Sequence, residues 1–157
     1  MDIKCWGSRG SISVSGDQYF KYGGDTTCIE ITAKSGETII IDAGTGIRCL
    51  GNSFIEREIT QYYLLWTHAH WDHIQGFAFF RPLLFSKVKI MIQDRKFLSI
   101  NTRDLLNKVM EMPFFPIGLG DLKADIKFDP TLNGKFNIGS VKIETIPTSH
   151  PGGGLGY

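Results

Sequence analysis

The sequence predicts one α/β (α+β) domain in which mixed sheets are flanked by helices. Three observations carry this. Residues 27–32 and 38–41 flank a turn at 34–37 and read as a β-hairpin. The unbroken apolar run 62–66 reads as a buried strand. Elsewhere apolar residues recur at helical spacing: Ile47, Leu50, Phe54 and Ile55, then Ile100, Leu105, Val109 and Met112. A chain of 157 residues has single-domain length and can bury a real core.

In chain order, residues 3–6 read as an opening strand stopped by Gly7, and residues 8–25, rich in Gly and Ser, as a loop. Asp42 ends the second hairpin strand, and Ala43-Gly44-Thr45-Gly46 allows a sharp turn. Gly51 weakens the helix expected next. A helix is expected over 73–80, limited by Pro82. Residues 87–92 alternate as a strand, and 97–112 read as a helix ended by Met112-Pro113-Phe114-Phe115-Pro116. Further strands are expected at 125–128, 134–137 and 141–147, with Asn133-Gly134 as a turn signal. Internal repeats, low-complexity tracts and dividing linkers are absent.

The composition is that of an ordinary globular protein, with 42% apolar and 21% charged residues. Lys and Arg total 17 against 16 acids, so no basic excess argues for a general nucleic-acid binder. Cys5, Cys28 and Cys49 are too few and too far apart for a disulfide framework or a CxxC knuckle, and read as buried free thiols of a reducing cytoplasm. The N-terminus shows no signal-peptide core, and no apolar stretch is long enough to span a bilayer. The expected localisation is cytoplasmic, with no membrane partner.

Chemistry concentrates in Thr67-His68-Ala69-His70-Trp71-Asp72-His73, which holds three of the four histidines. In an extended chain His68 and His70 project from one side. Imidazole nitrogens and a carboxylate suit a borderline ion such as zinc. The pattern offers His68 and His70 to one ion and an Asp72/His73 pair to a second. The competing reading of Asp72, a helix cap for the segment starting at His73, leaves His68 and His70 unexplained.

The segment 67–76, THAHWDHIQG, resembles the signature of the metallo-β-lactamase superfamily. Gly7-Ser8-Arg9-Gly10-Ser11, residues 22–28 (YGGDTTC), residues 41–46 (IDAGTG) and residues 150–157 (HPGGGLGY) resemble its phosphodiesterase-like branch, which includes ribonuclease Z and cyclic-phosphate phosphodiesterases. The resemblance implies an αββα sandwich with metals at one edge of two facing sheets. It implies His68, His70 and His150 as ligands of the first ion, and Asp72 and His73 as contributors to the second. Zinc is the expected metal, with manganese or iron as alternatives.

The implied reaction is metal-dependent hydrolysis, with metal-activated hydroxide attacking a phosphodiester, small cyclic phosphates and RNA being the substrate classes, and Asp72 ligating or also moving a proton. Hydrolysis of another ester or thioester, and a non-catalytic metal-binding role, remain alternatives. Asp42 matches an acid near the metal histidines, where it would orient a ligand imidazole, or it satisfies the turn 43–46; the two roles are compatible. Gly23, Gly24 and Gly152 to Gly154 read as turn glycines. Trp71 reads as a buried aromatic packing the site wall, and Arg9 and Lys21 as solvated. Family members continue past the Gly-Tyr pair to a bridging aspartate and a further histidine. The expectation is thus an incomplete hydrolase domain, its C-terminal part missing, that pairs with a like or second chain to cover apolar surface and complete the site.

Overall fold

The computed structural model describes residues 1–157. In chain order its elements are β1 (Asp2–Gly7), β2 (Cys28–Thr32), β3 (Thr38–Ile41), α1 (Gly46–Glu56), β4 (Gln61–Leu65), α2 (Trp71–Ile74), β5 (Lys89–Gln93), β6 (Lys96–Phe97), β7 (Ile100–Asn101), α3 (Thr102–Val109), β8 (Asp125–Asp129), β9 (Lys135–Ile138), β10 (Val141–Glu144), β11 (Ile146–Thr148) and β12 (Gly154–Gly156). One six-stranded sheet runs β1-β2-β3-β4-β5-β8. Its first three strands are antiparallel; β3, β4, β5 and β8 are parallel, joined through crossovers that carry the helices.

Alternation along the strands divides the core. Ile40, Tyr62, Leu64, Ile90 and Ile92 face the helical layer, with Phe54, Phe77, Phe80, Leu106 and Met110. Ile39 and Leu65 face the other way, onto Leu132 and Ile138, where the β9–β10 hairpin packs with Phe136, Val141 and Ile143. Strand β4 is covered on both faces, which is why the run 62–66 reads as continuously apolar. Ile3 and Ile146 stay more than half exposed. No helix is long and apolar enough to cross a membrane.

Several expectations need correction. The helix expected over 73–80 is a single turn, α2, followed by 3-10 turns at Phe77–Phe79 and Arg81–Leu84. The cause is Gly76, which lies so close to the chain that a Cβ there would sit 2.1 Å from the Gly44 carbonyl. Its N–H donates to Ala43 O at 2.8 Å instead of continuing a helix. The helix expected over 97–112 is α3 alone, because 96–101 turn back as β6–β7 and Asn101 caps the helix by accepting from Asp104 N at 2.8 Å. The buried positions are Leu106 and Met110; Ile100, Leu105 and Val109 are half-buried and Met112 is exposed. The strand expected over 141–147 breaks at Thr145, whose N–H donates to Gly134 O.

Gly51 does sit inside α1, and packing accounts for it: a Cβ would meet Phe80 and Pro82 at 2.9 Å. All three cysteines are free, but only Cys28 is buried; Cys49 is half-buried and Cys5 exposed. Burial pushes the Cys28 thiol well up, which makes it inert.

Candidate metal centre

The C-terminal ends of β3 and β4 lie side by side, Ile41 paired with Leu65, and the segments beyond them carry Asp42 and residues 67–73. Asp42 has a left-handed backbone (φ 64) and is wholly buried. This conformation aims its carboxylate across to the end of β4. Oδ1 accepts from Thr67 N at 2.8 Å, and Oδ2 accepts from Thr67 Oγ1 and from His73 Nδ1, each at 2.7 Å. Thr67 Oγ1 is also 3.0 Å from His68 Nδ1. With the Thr67 hydroxyl hydrogen given to Asp42, its oxygen is free to accept from His68 Nδ1. A single buried carboxylate therefore fixes two imidazoles with protonated Nδ1 and leaves Nε2 of each as an acceptor. Of the two compatible roles read for Asp42, its bonds go to Thr67 and His73, while the N–H groups of the 43–46 turn donate elsewhere.

His68, His70 and His150 converge, each offering a nitrogen such that the three lie within 4.8 Å of one another. His150 Nε2 is 3.0 Å from His70 Nδ1. His150 reaches the cluster from the turn between β11 and β12, where Gly152 and Gly153 both have φ 80, a backbone conformation that glycine adopts at no steric cost. His73 stands beside the triad, its ring centroid 4.0 Å from that of His68, with Nε2 3.6 Å from Asp72 Oδ2. Asp72 Oδ2 also accepts from Ser11 N at 2.8 Å, which ties the 8–25 loop to the centre. Asp72 lies inside α2, whose N-cap is His70, so the helix-cap alternative does not hold.

The electrostatics favour ligand-ready imidazoles. Burial, then the neighbouring His73, His150 and His70, holds His68 down at about 4. At His73 burial acts downward too, but the Asp42 hydrogen bond and the charges of Asp42 and Asp72 outweigh it and raise the pKa. Three clustered imidazoles, the first of them neutral to low pH, fit a borderline divalent ion, which binds the neutral ring. His68, His70 and His150 would hold one such ion, and Asp72 with His73 would face a second.

Sequence reading missed the supports behind this edge. Thr67 lies in the motif itself, but nothing in its spacing marks a role. Arg95 Nη1 donates to the carbonyls of Trp66 and Thr67, each at 3.0 Å. Tyr157 OH lies 2.9 Å from Trp66 O and 2.7 Å from Gln93 Oε1. These residues are distant in sequence, and no local pattern marks them. Trp71 is 60% exposed rather than buried in the site wall. It lines an apolar cavity of about 660 Å³ with Ile74, Phe79, Val109, Phe114 and Phe115, whereas Asp72 and His73 turn toward the histidines. Size alone would place a site in that cavity, but the convergent polar groups are at the strand ends. Arg9 and Lys21 are exposed and lie over the rings of Tyr19 and Tyr22.

No protein-family model and no curated protein matches the sequence. Among solved structures the chain is similar to a diphosphatase from the PhnP family (TM-score 0.68, 17% identity, 98% of this chain and 59% of that one). It is also similar to human tRNase Z, short form (TM-score 0.59, 15% identity, 99% of this chain and 63% of that one). The BLEG-1 B3 metallo-β-lactamase gives a TM-score of 0.52 at 19% identity, over 98% of this chain and 65% of that one. The chain has the metallo-β-lactamase fold, as its resemblance implies. It spans about three fifths of the length of these structures.

Proposed function

We propose that the chain belongs to a metal-dependent hydrolase whose substrates are phosphodiesters. The convergence of His68, His70 and His150 at one sheet edge, beside the Asp72–His73 pair, carries this reading. A divalent ion bound there, zinc in the first instance, would supply Lewis acidity and a nucleophile drawn from water at neutral pH. The chain's own residues do the rest. Asp42 and Thr67 hold His68 and His73 in the ligating tautomer. Asp72, half-committed to Ser11 N–H, keeps its other oxygen free to ligate or to take a proton. The phosphodiester preference rests on sequence motifs and on likeness to proteins named as a diphosphatase and a tRNase.

The test is a substrate panel with zinc- or manganese-loaded protein: bis(4-nitrophenyl) phosphate, a short RNA, a thioester and a β-lactam. Turnover of the phosphodiesters, abolished by His68→Ala, is the expected result. Turnover confined to the thioester or the lactam would replace the substrate class. Tight metal binding without turnover of any of them would leave a metal-binding protein.

A further inference from the structure

His150 is the one triad member not carried by the end of β4; it stands on the β11–β12 hairpin. Residues 146–153 are all exposed, and β11 pairs only with β12. Two contacts tie the hairpin to the strand end that presents His68: Leu155 N donates to Thr67 O at 2.9 Å, and the Tyr157 phenol lies 2.9 Å from Trp66 O, its single hydrogen shared between that carbonyl and Gln93 Oε1. Both acceptor carbonyls are also held by Arg95 Nη1. Gln93 completes the arrangement. Its Oε1 accepts from Trp66 N at 3.0 Å and lies 2.7 Å from the phenol, and its Nε2 donates to Leu132 O. That last bond fixes the orientation of the amide, because a flipped Gln93 would set its oxygen against the Leu132 carbonyl.

We propose that Tyr157, Arg95 and Gln93 form a clasp that sets His150 against His68 and His70, so that ion binding and docking of the β11–β12 hairpin are one coupled step. All three are positioning residues; none touches the imidazoles. The coupling is reciprocal: an ion that draws His150 inward protects the bonds at Leu155 and Tyr157, and a broken clasp releases the third ligand. Burial pushes the Tyr157 phenol up to about 12, which keeps it a donor at neutral pH. The proposal rests on the reading of the triad as an ion site, and the experiment separates the two.

Cobalt(II) titration, followed by visible absorption, and hydrogen exchange at the Leu155 amide are measured on the wild type, Tyr157→Phe, Arg95→Lys and Arg95→Met. Expected are exchange at Leu155 that slows when cobalt binds the wild type, and a fall in cobalt affinity of about 10- to 100-fold in Tyr157→Phe and Arg95→Met. Faster Leu155 exchange in the metal-free variants and partial recovery in Arg95→Lys, which keeps a donor, are also expected. In Tyr157→Phe and Arg95→Met the absorption spectrum of bound cobalt should also change, because His150 is displaced; a general loss of stability would reproduce neither that change nor the lysine recovery. If Arg95→Met does not fold, Tyr157→Phe, which lacks a single oxygen, decides alone. Wild-type affinity and spectrum in both Tyr157→Phe and Arg95→Met would overturn the clasp while leaving the ion site standing. No cobalt binding by the wild type would overturn the ion-site reading and the coupling with it.

Discussion

Asp42 Oδ2 accepts a hydrogen bond from His73 Nδ1 at 2.7 Å, joining the end of β3 to the one-turn helix α2. The same oxygen accepts from Thr67 Oγ1, and the other oxygen from Thr67 N. A wholly buried carboxylate thus decides how two histidines present themselves, and the backbone adopts a left-handed conformation to put it there.

Asp42→Ala should lower divalent-ion affinity about 10- to 100-fold, since two imidazoles lose the group that fixes their tautomers. It should also strand Thr67 N–H, at about 1–3 kcal/mol of stability. Alanine at a left-handed position adds roughly 1–2 kcal/mol that glycine avoids. Asp42→Gly should therefore unfold at higher urea than Asp42→Ala yet bind the ion equally poorly. Equal stability of the two would show that the backbone conformation carries no cost.

His68 should titrate near 4 in the metal-free protein, as read from its imidazole proton shifts. Its folded pKa lies below the ordinary value of 6.5, so between 6.5 and 4 the unfolded chain binds the extra proton. The stability this group contributes is present above about 6.5 and is lost as pH falls toward 4. His68→Ala should flatten the stability–pH curve in that window; an unchanged slope would contradict the assignment.

Gly76→Ala should be severe. The added methyl would meet the Gly44 carbonyl oxygen at 2.1 Å, and because that neighbour is backbone, only a shift of the chain at Gly76 or at Gly44 relieves it. Loss of several kcal/mol and of ion binding together is expected, by urea melt and cobalt titration.

Gly51→Ala offers a milder contest. Alanine favours the helix by about 0.8–1.0 kcal/mol. Against this, the methyl meets Phe80 and Pro82 at 2.9 Å, and Phe80 is held by Phe54 and Tyr62. Overpacking of about 1–3 kcal/mol should win, and the variant should be less stable. A stabilised variant would mean that the Phe80 ring shifts freely.

Removing metal with a chelator should lower the unfolding midpoint. At free ion 100 times its Kd the bound ion contributes about 2.7 kcal/mol, roughly 5–11 °C for a domain of this size. The shift should vanish in His70→Ala, which removes a triad ligand.

The elements whose reasons are local were legible from the residues alone. Alternation marked the hairpin of β2 and β3, the continuous apolar run marked β4 as covered on both sides, and the spacing of His68, His70, Asp72 and His73 marked the metal chemistry. The fold class followed from these, because strand and helix periods depend only on neighbours along the chain. Tertiary structure decided the rest. The close approach of Gly76 to Gly44 cut a helix to one turn, and the return of β6–β7 moved the buried face of α3 from Leu105 and Val109 to Leu106 and Met110. It also brought His150 to His70 across 80 residues and set Arg95, Gln93 and Tyr157 behind the centre. Those contacts join residues far apart in the chain, where periodicity carries no signal; packing of the sheet edge alone places them together.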